Sequence, residues 1–240
     1  MVRNRISLAF LVPIILIGCQ STSLQQSNLQ GDVASMEKVK NYDGLISHYK
    51  SQLELGLQDP EMKEKLAWAY FHKGDIESAN FYVQHLQKEG VESSSLYQLE
   101  GQVLDAKSDT GGAIQAYLSS IKAGNISGQI HVLLGVSYAK LGKYEEAYQE
   151  LNNARLRGYD DVTIKNNIAM IHIANGEYEQ AIETLTPVLI DNPENKVVKA
   201  NLAIALMKAQ QIEEAKKLLK DDFSVQELHS IAVELTQYRG

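Results

Sequence analysis

Cysteine is almost absent: Cys19 is the only one in 240 residues. That excludes an internal disulfide framework and a thiolate metal site, so any fold here is held by packing alone. Prolines number only four, which leaves long helices possible. The chain has no cluster of Lys and Arg, and its 23 basic residues are outnumbered by 30 acidic ones for a net charge of −7. An acidic chain without a basic patch argues against nucleic acid as a partner. The six histidines (His48, His72, His85, His131, His172 and His229) are scattered with no His-x-x-x-His pair, so no metal and no cofactor is expected. Only one long apolar run exists, Ile6 to Ile17, interrupted by Pro13. It is shorter than the eighteen or so residues a membrane-spanning helix needs.

That run carries information through its neighbours. Arg3 and Arg5 precede it, and Leu16-Ile17-Gly18-Cys19 ends it before a polar, uncharged stretch. A basic start, an apolar stretch and small residues at the end form the layout of a secretory signal peptide. The four residues ending at Cys19 resemble the lipobox of bacterial lipoproteins. The resemblance implies that residues 1–18 are removed and that acyl chains on Cys19 anchor the mature protein, since two or more chains hold stably. Gln20 after the cysteine resembles the outer-membrane sorting pattern, which implies an outer-membrane protein facing the periplasm. Removing residues 1–18 takes away two arginines and no acid, so the mature chain is more acidic still. Residues 19–35 are rich in Gln and Ser with Asp32 as their one charge, which predicts a flexible tether.

The rest of the chain repeats. Ala67, Gly101, Gly135, Ala169 and Ala203 are spaced by thirty-four, and so are Ala79, Ala113, Ala147, Ala181 and Ala215. Small residues in two such registers predict helix pairs packed at close range, where a bulkier side chain would overpack by about 1–3 kcal/mol. Gly74, Gly142 and Gly176 share a third register between the helices, where a left-handed residue ends a helix cheaply. Asp75 is placed to cap the following helix. Leu66, Tyr70, Leu134, Tyr138, Ile168, Leu202 and Leu206 form the apolar stripe, and Tyr144 and Tyr178 open second helices.

These residues resemble the tetratricopeptide repeat, in units 60–93, 94–127, 128–161, 162–195 and 196 to about 222. The expected fold is all-α, a right-handed superhelix of about five repeats. Unit 94–127 departs most, with Glu100, Ser108 and Ser120 where Leu, Gly and a small apolar residue are expected. Residues 36–59 read as a partial N-terminal repeat with Leu45 in the alanine register. Residues 223–240 read as a capping helix, with the capping box Ser224-x-x-Glu227 and Val225, Leu228, Ile231 and Leu235 on one face.

No catalytic set emerges. Gly111-Gly112 precedes a helix without the rest of a phosphate loop, and reads as a turn. Glu145-Glu146 and Glu213-Glu214 read as solvated faces. His172 sits at the aromatic register and is expected to pack in the core. A non-enzymatic protein with no small-molecule substrate is therefore expected.

Resemblance to tetratricopeptide proteins implies a concave groove lined by the first helix of each unit. Its inward registers fall on Trp68 and Phe71, Gln102 and Asp105, Val136 and Ala139, Met170 and Ile173, Ile204 and Met207. A further register adds Glu64, Gln98, Val132, Asn166 and Ala200. The groove lacks the Lys, Asn and Arg set of carboxylate-clamp relatives. It offers an apolar strip with Asn166, Asn167 and Asn201 beside it, suited to an amphipathic helix or apolar peptide. The anchor, the length and the ending "DDFSVQEL" plus a final helix are similar to the lipoproteins of the tight-adherence (Flp) pilus assembly system. That resemblance implies protein partners in the pilus machinery, the secretin above all. A pilotin of type IV pili, or an adaptor for a periplasmic protease or peptidoglycan hydrolase, would share every feature noted.

Overall fold

A computed structural model describes residues 32–56 and 59–221. The signal peptide, Cys19 and the capping helix expected at 223–240 lie outside the described residues, as does the tether up to residue 31. Within them the chain is helical throughout. Residues 32–38 (α1) are followed by α2 (Tyr42–Glu54), α3 (Pro60–Lys73), α4 (Ile76–Lys88), α5 (Ser94–Ala106) and α6 (Thr110–Lys122). Then come α7 (Gly128–Lys140), α8 (Tyr144–Leu156), α9 (Asp161–Ala174), α10 (Tyr178–Asp191), α11 (Lys196–Lys208) and α12 (Ile212–Leu219). Helix α1 begins inside the segment read as tether, because Val33 and Met36 pack on the core beneath α2.

Each helix packs on the next, and each first helix also meets the first helix of the following unit: α3 with α5, α5 with α7, α7 with α9, α9 with α11. No two second helices touch among the described residues. Closer spacing on one side curves the stack, so the first helices line the inner face and the second helices form the outer one. The result is the right-handed superhelix expected from the repeat. Both small-residue registers are buried without exception, and Ala79, Ala113, Ala147, Ala181 and Ala215 are all fully enclosed. A Cβ on Gly101 would lie 2.3 Å from the Tyr117 ring, which is the close approach that makes glycine necessary there.

The turn register extends further than its glycines. Gly74, Gly142 and Gly176 have φ of +89°, +71° and +80°. Lys40, Ser108 and Gln210, thirty-four residues out on the same register, have φ of +55°, +66° and +64°. Packing of the two helices therefore imposes a left-handed residue at this place whatever the side chain. Lys40 in that series shows that the partial leading unit obeys the same geometry.

Unit 94–127 keeps phase despite its departures. Ser120 is fully buried, and its hydroxyl donates to the Ser94 carbonyl at 2.6 Å. The buried oxygen is thus satisfied. Gly111 and Gly112 are not a turn: they lie in the first turn of α6, where Gly112 N–H donates to Asp109 Oδ1 at 2.9 Å.

Candidate functional site

The inner face is built from the middle of each first helix, because residues at these registers point away from the paired second helix. Trp68, Phe71, Gln102, Val136, Asn166, Ile173 and Ile204 are half-buried, and Met170 is 37% exposed. Two expected groove residues are core instead. Met207 is 1% exposed, enclosed with Ala203, Leu206, Ala215 and Leu219, and Val132 packs with Leu151, Ile164 and Ile171.

At the N-terminal end the face is aromatic. His72 stacks between Tyr42 and Trp68, with ring centroids 5.5 and 5.4 Å away, and Phe71 meets Trp68 edge-on at 6.0 Å. Trp68 Nε1 donates to Ser95 Oγ at 3.0 Å, tying α3 to α5. His72 remains exposed at its edge, but partial desolvation by the stacked rings, with the Lys40 charge second, pushes its imidazole below its ordinary pKa. A cleft of 330 Å³ opens beside these rings against Tyr49 and Lys65.

Polar groups interrupt the strip at the centre. Asp105 on α5 pairs with Lys140 Nζ at 3.0 Å and accepts from Ser137 Oγ at 3.2 Å, both on α7. Beneath it the Tyr117 hydroxyl is buried, and desolvation followed by the Asp105 charge raises its pKa. Lys140 and Ser137 were missed in the sequence. Nothing flags Lys140 until α5 and α7 are side by side, since it falls one residue past an inward register.

Beyond this pair the face is aliphatic. Val136, Ala139, Met170 and Ala174 line a 240 Å³ cleft between α7 and α9, with Lys140 and Asn167 at its edge. Asn201 Nδ2 donates to Asn166 Oδ1 at 2.8 Å, so two of the three asparagines serve to join α11 to α9. The expected strip is thus two apolar patches divided by an ion pair, and each patch can accept an apolar side chain.

His172 is not a core residue. It is half-buried, with Nδ1 2.7 Å from Glu177 Oε2 and 3.2 Å from the Tyr148 hydroxyl. Among the described residues, no cluster of His, Cys, Asp or Glu is suited to a metal ion, and no helix is long and apolar enough to cross a membrane.

Tetratricopeptide-repeat family models match residues 128–154 and 172–222. A TPR repeat-containing protein of Methanocaldococcus jannaschii is 29% identical over 162 residues, 62% of this chain, which spans only 27% of that relative's length. A thermophilic TPR protein from Thermus thermophilus, TTC0263, is similar in structure with a TM-score of 0.60 and 19% identity, covering 75% of this chain and 98% of that one. PilW, a type IV pilus biogenesis factor, is similar with a TM-score of 0.60 and 17% identity, covering 74% of this chain and 79% of its own. The sequence thus matches tetratricopeptide repeats in residues 128–154 and 172–222, and the fold across the described helices is the one seen in tetratricopeptide-repeat proteins.

Proposed function

We propose that the chain is a non-enzymatic scaffold, anchored by lipid on Cys19 in the outer membrane and facing the periplasm. On this reading it assists assembly of a Tad/Flp-type pilus secretion machine, in the manner of the TadD lipoproteins, by holding a segment of the secretin or a neighbouring component in its inner groove. The observation that carries the binding role is the pair of half-exposed apolar patches on the inner face, Trp68 with Phe71 and Val136 with Met170. Apolar side chains left open along a concave helical surface suit capture of a helix or extended peptide. The lipobox and the tail support the setting. The likeness to PilW favours a second reading, a pilotin-like lipoprotein serving a type IV pilus secretin.

Binding of the purified periplasmic domain of a Tad/Flp-type secretin tests the role. Hot-spot truncations commonly cost 2 kcal/mol or more, so Phe71→Ala with Met170→Ala should weaken affinity at least tenfold. Circular dichroism should be unchanged. Full-strength binding by a folded double variant would move the site off the inner face. Cys19→Ser should release the protein from the membrane fraction, and retention there would sink the anchor.

A further inference from the structure

One edge of the stack, where each second helix ends and the next unit begins, carries a row of its own. Lys88, Lys122, Leu156 and Ile190 are spaced by thirty-four, so the stacking of units lines them up along this edge, and all four are exposed. Leu156 is 86% exposed, and Ile126 in the loop before α7 is 75% exposed. These two stand on adjoining segments. Arg157 Nη1 donates to the Ile126 carbonyl at 3.1 Å, and a Cβ on Gly128 would lie 3.1 Å from the Ala154 carbonyl.

Exposed aliphatic side chains are ordinary one at a time, but here they come with charge of one sign. Arg155 and Arg157 flank Leu156, and Lys122 ends α6 just before the Ile126 loop. Lys122 and Arg157 have no carboxylate partner among the described residues. The acids nearby are already engaged. Asp160 accepts from the Thr163 N–H and hydroxyl, both at 2.7 Å, and Asp161 pairs with Arg155 at 3.0 Å and Lys165 at 2.8 Å. The spot is thus cationic on a chain whose net charge is −7. The opposite edge lacks this combination. Leu141 there is 48% exposed, but Lys140 is held by Asp105 and Lys143 lies over the Tyr138 ring at 5.9 Å. Aliphatic tips on a helix end and a loop form a ridge rather than a groove, and a ridge flanked by free cations suits a soft anionic layer. We infer that this edge rests on an anionic phospholipid surface, with Ile126 and Leu156 at headgroup depth and Lys122 and Arg157 on lipid phosphates. The inference rests on the proposed membrane setting. It adds a second contact to the one at Cys19, which holds the array edge-on and leaves the inner groove open to a partner.

The test holds the full chain at a membrane by means that do not depend on acylation. The Cys19→Ser chain carries an N-terminal histidine tag bound to nickel-chelating lipid. One new cysteine, Leu156→Cys or Phe81→Cys on the exposed side of α4, bears an environment-sensitive fluorophore. On vesicles containing phosphatidylglycerol, nitroxide-labelled lipid should quench the probe at 156 at least about threefold more strongly than the probe at 81. Lys122→Glu with Arg157→Glu should bring quenching at 156 down to the level at 81, and so should vesicles in which phosphatidylcholine replaces phosphatidylglycerol. Equal quenching at the two positions on anionic vesicles would overturn the inference and leave the patch to a protein partner. Quenching at 156 that ignores both the lipid charge and the two substitutions would overturn it equally, because the cations would then have no role. The tag supplies the tether, so failure of the Cys19 anchor would alter neither result.

Discussion

The two halves of the array share one backbone plan and differ in how its turns and groove are furnished. In the N-terminal half, the residue before each second helix is Asn41, Asp75 or Asp109, and each side chain accepts from a backbone N–H in the first turn. In the C-terminal half the same register holds Lys143, Glu177 and Gln211, and none makes a capping bond. The inner face divides at nearly the same place, aromatic before the Asp105–Lys140 pair and aliphatic after it. The small-residue registers show no such division. Helix-to-helix approach is needed in every unit, whereas a cap or a groove side chain can vary as long as its neighbours compensate.

The largest effects should come from the shared plan and be alike in both halves. Ala147→Leu in the C-terminal half and Gly101→Ala in the N-terminal half each drive atoms into a facing helix, and should each cost about 1–3 kcal/mol. Gly101→Ala meets the Tyr117 ring at 2.3 Å. Chemical denaturation of both variants tests this. If one half tolerated its substitution, close helix-to-helix approach would not be a requirement common to both halves.

Capping should separate the halves. Asp109→Ala removes a bond to Gly112 N–H and should cost about 1 kcal/mol. Gln211→Asp restores an acceptor where none acts, and should raise stability by up to about the same amount. A gain at Gln211 no larger than that from Gln211→Ala would show that the cap itself contributes nothing there.

A smaller gain is expected at the turn. Gln210 has φ of +64°, so Gln210→Gly should relieve roughly 0.5–1 kcal/mol of backbone strain after the entropy of glycine is set against it. Gly176→Ala on the same register should lose stability. Thermal melts with the two shifts in the same direction would contradict a shared left-handed requirement.

The smallest effect concerns charge in the aromatic half. The folded-state pKa of His72 lies below its ordinary value because partial desolvation by the stacked rings, and then the Lys40 charge, disfavour the cation. Its contribution is therefore complete above about pH 6.5 and is lost as pH falls through the lower folded value. Trp68 is the only tryptophan and stacks on His72, so its fluorescence should titrate with a midpoint below about 6.5. His72→Gln should abolish the transition. A midpoint above that value would mean that the ring is better solvated than the stack allows.

Much of this architecture was legible in the residues because it rests on repetition. A spacing of thirty-four in small residues reports a contact made in every unit, and Asp75 as a cap depends only on residues three apart in the chain. Other features were hidden for a physical reason. The glycines at 56, 90, 124 and 158 form a second left-handed register at the ends of second helices, where spacing alone does not fix the sign of φ. Ser108 and Gln210 gave no sign of their conformation, since helix packing rather than side-chain type imposes it. Ser120 looked like a defect until the Ser94 carbonyl supplied its partner.

The period and the helical class were set by the amino-acid order alone, through contacts that recur at fixed separation, whereas the inward registers followed from the resemblance to tetratricopeptide proteins. Only the tertiary structure decided what each inward side chain became. Met207 and Met170 occupy inward registers of neighbouring units, yet one is enclosed and the other is open. The difference lies in what packs alongside, and that depends on helices brought together from different parts of the chain. The Asp105–Lys140 pair that divides the groove arises in the same way, from two residues thirty-five apart placed 3.0 Å from one another by the stacking of α5 on α7.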